Sequence, residues 1–316
     1  MPMENKLNFI SVIITAYNRK KFLLSSIKSA LNQTLDKKYY EIIVIKNFND
    51  KIIDDFINKN NIKNILMDGI IGEFFYKGIK ESKGEIISFL DDDDLFCPNK
   101  LEEVFKVFGD NKVIYFHNGY EVIDEEHNKI NMPRLFFIPP DSNMSSISVR
   151  KNMIDLKSLK KIIISQDTFF YFNALDRNNK LILNNKLILT RYMLHNSMSH
   201  MLNTNINEFK QNNINLLQLL IQQQHYLGLA FKSNKCRRFN DARVTHLKIQ
   251  LFIFENVEIS NPFYSILKFL AFSRVGLRVK LELISKYIKI RINEERFREI
   301  IILSKFKFLV DYPVTH

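Results

Sequence analysis

The sequence predicts an α/β chain, a doubly wound and mostly parallel sheet followed by a helical C-terminal region. Three observations carry that prediction. Apolar, β-branched runs of strand length recur between residues 9 and 90, segments with helical spacing separate them, and the periodicity is helical from about Asn215 to Phe308.

Phe9 to Ile14 (FISVII) is a continuous apolar run, the pattern of a strand buried on both faces. After the TAYNR turn, Lys20 to Asn32 has helical spacing through Phe22, Ile27, Ala30 and Leu31. Glu41 to Ile45 (EIIVI) reads as a second strand and Ile52 to about Asn60 as a helix. Asn64 to Met67 is a short third strand, Gly72 to Ser82 a helix, and Glu85 to Leu90 (EIISFL) a fourth strand. From Lys112 to Tyr192 short strands (VIYF, ISV, LILT) lie among loops, with a helix starting near Gln166. The Asn-rich stretch Asn203 to Asn215 reads as a joint, dividing the chain into residues 1–203 and 204–316. Beyond it, Phe263, Ile266, Leu267, Leu270 and Ala271 follow the helical i, i+3, i+4, i+7, i+8 pattern, and Asn293 is a candidate cap for a last helix carrying Phe297, Ile300, Ile301 and Phe308.

The chain has 316 residues, is 46% hydrophobic and 25% charged, and carries a net charge of +12. That balance fits a globular protein with an anionic partner. No nucleic-acid motif accompanies the charge, so a nucleic-acid partner is not expected. Cys97 and Cys236 offer neither a metal-ligand spacing nor a disulfide framework, which points to a reducing, cytoplasmic setting. The polar MPMENKLNF opening lacks the form of a secretory signal, and the longest apolar stretch, Ile259 to Leu277, is interrupted by Pro262, Lys268 and Arg274.

Asp91, Asp92, Asp93 and Asp94 follow the fourth strand directly. In doubly wound sheets ligands sit at the carboxyl ends of the strands. Four adjacent carboxylates repel one another unless compensated, and a divalent cation with hard oxygen ligands supplies the compensation while also taking phosphate oxygens. The alternative is a solvated loop with an Asp capping the helix near Pro98.

FISVIITAYNRKKFLLSSIKSALNQT followed by GEIISFLDDDDLFCPNKLEEV resembles the GT-A-type family 2 glycosyltransferases, with the likeness covering roughly residues 7 to 200. The resemblance implies a GT-A-like domain, a nucleotide-sugar donor and a manganese or magnesium ion. It places Thr15, Ala16 and Tyr17 along the nucleobase pocket, Asp92 near the ribose, and Asp91 and Asp93 on the metal. Arg19 is then either a diphosphate ligand or a surface arginine. Two departures stand out. Lys46, Asn47, Phe48 and Asn49 replace the family's Asp-Asp-Gly-Ser-like turn, leaving Asn47 to meet the base. Phe75, Tyr76, Lys77 and Gly78 replace an Ala-Arg-Asn-x-Gly stretch, so its arginine is missing unless Lys77 or another residue substitutes.

Inverting transfer needs a base for the acceptor hydroxyl. Ser165-Gln166-Asp167-Thr168-Phe169-Phe170 resembles the family's Glu-Asp-x-x-Phe motif, so Asp167 is the implied base, although an Asp there also suits a helix cap. Ser145 to Arg150 resembles the strand flanking the acceptor pocket. Arg191, His195, Asn196, Ser197 and Ser199 match a segment near the donor phosphates, with His195 the candidate ligand. The expected acceptor is a glycan or a polyprenyl-linked saccharide. The basic, apolar helices from Asn261 to Phe308 then serve a membrane surface at its cytosolic face, a second copy of the chain, or the interior. Two other readings compete: a degenerate GT-A-like protein that binds a glycan or lipid without turnover, and a sugar-nucleotide pyrophosphorylase. The latter needs a Gly-rich loop that TAYNRKK lacks.

Overall fold

The computed structural model describes residues 9–130, 142–177, 179–194, 205–255, 257–273, 277–292 and 297–303. The chain divides into two compact units at the step from Met193 to Leu194.

The first unit opens with alternating strands and helices: β1 (Ile10–Ala16), α1 (Leu23–Leu31), β2 (Tyr40–Lys46), α2 (Lys51–Lys59), β3 (Lys63–Leu66), α3 (Ile71–Glu81) and β4 (Ile86–Asp91). It continues through β5 (Leu95–Phe96), α4 (Lys100–Val107), β6 (Val113–Ile123), β7 (Ile147–Arg150), α5 (Leu156–Leu159), α6 (Gln166–Asp176) and β8 (Lys180–Met193). Among the described residues one eight-stranded sheet results, in the order β3-β2-β1-β4-β7-β6-β8-β5. β3, β2, β1 and β4 run parallel; β7 is antiparallel to both β4 and β6, and β8 is parallel to β6 and antiparallel to β5.

The apolar runs are continuous because helices cover both faces of this sheet. Ile10, Val12 and Ile14 of β1, with Ile86 and Leu90 of β4, pack with Leu23 and Ile27 of α1, Ile53 and Ile57 of α2, and Leu101 and Val104 of α4. The alternate residues face the other way. Ile13 and Ile45 lie against Gly78 of α3, where a Cβ would collide with both side chains. Phe89 of β4 meets Phe75 of α3 and Phe170 of α6, at ring separations of 5.3 and 4.5 Å. α3 is further pinned at Gly72, whose N–H donates to the Ile162 carbonyl at 2.9 Å, while a Cβ there would strike the Leu159 carbonyl oxygen.

Parallel order reverses between β1 and β4. β1 leads through α1 to β2 on one side, while β4 adds on the other, with Thr15 opposite Asp91 in register. The loops after these two strands lie at that reversal of strand order, the crevice position where such sheets bind ligands.

The second unit consists of helices: α7 (Ile206–Ala230), α8 (Asn234–Phe252), α9 (Pro262–Phe272) and α10 (Leu277–Ile292), with a further helical stretch at 297–303. The Asn-rich segment read as a joint is mostly helix instead. Asn205 caps α7 by accepting from the Glu208 N–H at 2.9 Å, and the asparagines that follow lie on its first turns. Phe209, Leu217, Leu247, Phe252, Phe269, Tyr287 and Ile301 belong to its core. On α9 the buried residue is Phe269, and the periodic Phe263 and Leu267 are exposed. Asn293 and Phe308 lie outside the described residues.

Candidate functional site

Each acid of the run after β4 has a different environment. Asp92 and Asp94 are buried, while Asp91 and Asp93 are partly exposed. One carboxylate oxygen from each of Asp91, Asp93 and Asp94 lies within 4.8 Å of the others, a spacing that one cation can bridge. Burial and the charges of Asp93 and Asp92 push Asp91 well above the usual carboxylate range. Burial, then Asp93 and Asp91, do the same to Asp94. Asp92 is raised to about 6, by burial first, with the Arg19 hydrogen bond opposing the shift.

Arg19, three residues beyond β1, donates from Nε to Asp92 Oδ2 at 3.1 Å, and its Nη2 pairs with Asp92 and, at 2.6 Å, with Asp93 Oδ2. Burial alone would lower this guanidinium's pKa; the Asp92 bond and the surrounding carboxylates outweigh that and raise it. Arg19 is therefore tied to the acidic run and is not a free surface arginine.

A divalent ion fits these residues. Asp94 is 0% exposed, its Oδ1 accepts from the Met193 N–H at 2.9 Å, and its buried Oδ2 has no hydrogen-bond partner among the described residues. A buried carboxylate oxygen left without a donor is costly. Here it sits in a cluster that already offers two more hard oxygen ligands, which suits manganese or magnesium.

The neighbouring strand ends complete the crevice. Thr15 and Ala16 are buried at the end of β1, and Tyr17 beyond them is 46% exposed, its ring edge-on to Phe74 of α3 at 5.9 Å. Asn47 follows β2 and is taken up by Asn18. Its Oδ1 accepts from the Asn18 N–H at 2.8 Å, and its Nδ2 donates to Asn18 Oδ1 at 2.7 Å. Asn18 holds φ at 54°, a conformation that asparagine tolerates better than most residues. Lys77, expected near the site, pairs with Glu81 at 2.9 Å along α3. His195, with Asn196, Ser197 and Ser199, lies outside the described residues.

Asp167 enters from α6. The helix starts one residue earlier, with Ser165 in the left-handed region at φ 56° as its cap position, so Asp167 lies inside the first turn and is not the cap itself. Its Oδ1 accepts from the N–H of Thr168 at 2.7 Å. Phe169 and Phe170 behind it are fully buried, and Phe170 stacks on Phe89, two residues before Asp91. That seat brings Asp167 close enough for its charge to act on Asp91.

The glycosyl transferase family 2 model matches residues 11–177, more than half of the chain. The chain belongs to that family. Among curated relatives, an uncharacterized glycosyltransferase of Rickettsia bellii is 40% identical over 128 residues, covering 37% of this chain and 17% of that protein. The UDP-Glc:alpha-D-GlcNAc-diphosphoundecaprenol beta-1,3-glucosyltransferase WfaP of Escherichia coli is 27% identical over 205 residues, 60% of this chain and 78% of that one. This family 2 chain spans less than half the length of the first Rickettsia relatives it matches. Among solved structures, S. aureus TarS 1-349 in complex with UDP-GlcNAc aligns with a TM-score of 0.54 at 16% identity, covering 96% of this chain and 91% of that one. That likeness shows the shared GT-A fold with its helical C-terminal region.

Several residues of this family 2 site escaped the sequence reading. Asp94 looked like the tail of a charged run, yet it is the most enclosed of the four acids. Tyr120 and Tyr192 pack ring to ring at 5.8 Å near the acids, and burial followed by the Asp94 charge raises both phenols. Ser145 accepts from the Asp91 N–H at 3.0 Å. The signal for Ser145 was its place in SSISVR, which identified a strand beside the pocket without showing the bond to Asp91.

Proposed function

We propose that this chain transfers a hexose-type sugar from a nucleotide-diphosphate donor to a glycan or polyprenyl-linked acceptor, with inversion and with the help of manganese or magnesium. The observation that carries the reading is the meeting, at the reversal point of the sheet, of three mutually repelling carboxylates with a fourth, Asp167, from a separate helix. In this reading the donor lies across the ends of β1, β2 and β4. Tyr17 presents its exposed ring to the base, with Thr15 and Ala16 beneath it and Asn47 at the rim. Asp92, held by Arg19, stands toward the ribose. Asp91, Asp93 and Asp94 would hold the ion, which would supply positive charge to the leaving diphosphate.

Asp167 takes the proton from the acceptor hydroxyl. The freed oxygen attacks the anomeric carbon from the face opposite the diphosphate. A new C–O bond forms as the bond to the β-phosphate oxygen breaks, and the electron pair leaves with the diphosphate. Burial and mutual repulsion raise Asp91 and Asp94, a penalty a divalent cation would relieve, whereas Asp167 is partly exposed on α6.

The similarity to WfaP, a transferase from UDP-Glc to a diphosphoundecaprenol-linked sugar, supports a UDP-sugar donor and a lipid-linked acceptor. We further assign residues 1–203 to donor binding and catalysis, and 204–316 to acceptor, membrane or self-association. No helix among the described residues is long and apolar enough to cross a membrane. On α10, however, Leu277, Leu281, Ile288 and Ile292 are exposed at i, i+4, i+11 and i+15, a single stripe flanked by exposed Arg278, Lys289 and Arg291. Such a stripe suits the cytosolic face of an anionic bilayer.

A second reading, a binding protein without turnover, draws on the Asn47 carboxamide already engaged by Asn18. One experiment separates the two. UDP-, GDP- and dTDP-sugars are incubated with the full chain in Mn2+ and in EDTA, and released nucleotide is measured. Metal-dependent release from one donor class supports transfer. Saturable donor binding with no release in any metal supports the binding protein.

A further inference from the structure

Lys100, the first residue of α4, is 0% exposed, with its ammonium held among neutral groups. It lies over the rings of Phe96 and Phe116, at 5.3 and 6.0 Å, and donates to Asn118 Oδ1 and, at 3.4 Å, to the Ser145 carbonyl. Burying a cation this way is a poor route to stability, because an apolar side chain of similar volume generally does as well or better.

The groups around it form a closed polar chain that leads to the acidic run. Asn118 Nδ2 donates to Thr190 Oγ1 at 3.0 Å, and Thr190 Oγ1 donates to the same Ser145 carbonyl at 3.0 Å. The Ser145 N–H donates to Asn143 Oδ1 at 2.9 Å. Its hydroxyl accepts from the Asp91 N–H at 3.0 Å, and it lies close enough to Asp94 to oppose, in small part, the rise that burial imposes on that carboxyl. Ser145 is thus held by Lys100 and Thr190 through its carbonyl, and meets the acidic run through its hydroxyl.

We propose that Lys100 is a positioning residue for the divalent ion: by fixing Ser145, it orients Asp91 and Asp94 toward a common point. The proposal rests on the metal-dependent reading above. It explains why a lysine occupies the interior, since its two hydrogen bonds hold Asn118 and Ser145 together in one buried polar network. It also explains how a residue that touches no carboxylate acts on the cluster. Groups behind metal ligands commonly change metal affinity by about 10–100-fold.

The test titrates the full chain with Mn2+ in the absence of donor, following free Mn2+ by electron paramagnetic resonance, with melting in EDTA recorded in parallel. Two variants are compared with the unmodified chain. Lys100→Met removes the charge at nearly constant volume, and Thr190→Val removes one hydroxyl and no charge. Both should raise half-saturating Mn2+ by about tenfold or more, while Lys100→Met melts no lower than the unmodified chain. A merely structural lysine would lower the melting temperature and leave Mn2+ affinity of the folded protein alone. Folded Lys100→Met with unchanged half-saturation overturns the proposal; if that variant does not fold, unchanged half-saturation in Thr190→Val does so. Failure of the unmodified chain to bind Mn2+ at all would remove the metal reading, and this proposal with it.

Discussion

Arg19 Nε donates to Asp92 Oδ2 at 3.1 Å, joining the loop after β1 to the loop after β4 across the reversal of strand order. Because Asp93 shares the same guanidinium, a single cation serves two of four adjacent carboxylates. The remaining imbalance sets a pH dependence. An acid whose folded pKa is raised binds more protons folded than unfolded, so its contribution is best below the ordinary carboxylate range and declines as pH rises. Asp91, Asp92 and Asp94 are all of this kind, with Asp92 pushed up to about 6 and the other two held well above the usual carboxylate range by burial and their neighbours. In EDTA, the melting temperature should therefore fall more between about pH 5 and pH 8 in the unmodified chain than in Asp94→Asn. Mn2+ should flatten the fall, and Arg19→Met should steepen it. Parallel curves for the unmodified chain and Asp94→Asn would mean that Asp94 carries no buried charge.

Asp167→Asn keeps the shape of the first turn of α6 but cannot accept a proton. Turnover should drop by about two to four orders of magnitude, with donor affinity nearly unchanged. The check is a pair of measurements, donor binding by calorimetry and transfer by product release. A variant that turns over normally but binds donor poorly would move Asp167 to the donor side.

Phe170 is the seat that carries Asp167 to the acids, stacked on Phe89 and edge-on to Phe75 and Phe169. Phe170→Ala should cost about 3–5 kcal/mol of stability through the cavity it leaves. Phe170→Leu should cost less and fold, yet turn over more slowly, because α6 loses the ring contact that sets its height above β4. Chemical denaturation and initial rates on the two variants decide this. Full activity in Phe170→Leu would show that the seat is not position-critical.

The stripe on α10 gives a binding prediction. The full chain should float with phosphatidylglycerol-containing vesicles at low salt and less well at high salt, since exposed cations near a charged surface contribute about 1 kcal/mol each. Ile288→Glu places an acid in the middle of the stripe and should abolish flotation without touching the first unit. A chain that stays at the bottom of the gradient at low salt, or an Ile288→Glu variant that still floats, assigns the stripe to another partner.

The parallel half of the sheet was readable because its strands are short, apolar and buried on both faces, so runs such as EIIVI and EIISFL announce themselves. β6 and β8 were not readable at their true lengths. They extend past their apolar cores into NGYE and KLILNNK, pair in parallel with register shifts, and expose much of β8 to solvent, which removes the periodic signal. The acidic run was visible as a run, but the division of labour within it was not. Burial separates Asp94 from Asp93, and burial depends on Met193, which arrives 99 residues later. Lys100 in PNKLEE looks like any solvated lysine at the start of a helix, and only tertiary packing turns it inward.

The bond between the Met193 N–H and Asp94 also orders events during synthesis. β1, α1, β2, α2, β3, α3 and β4 are complete once residue 91 has been made, and a parallel half-sheet of this kind can begin to pair on the ribosome. Ser145 and then Met193 reach the Asp91–Asp94 run only after a further stretch of translation. Until they do, the Asp91 N–H lacks its Ser145 acceptor and the Asp94 carboxylate lacks its Met193 donor. A chain released before Met193 therefore carries the acidic run without the bond that satisfies its most deeply buried member.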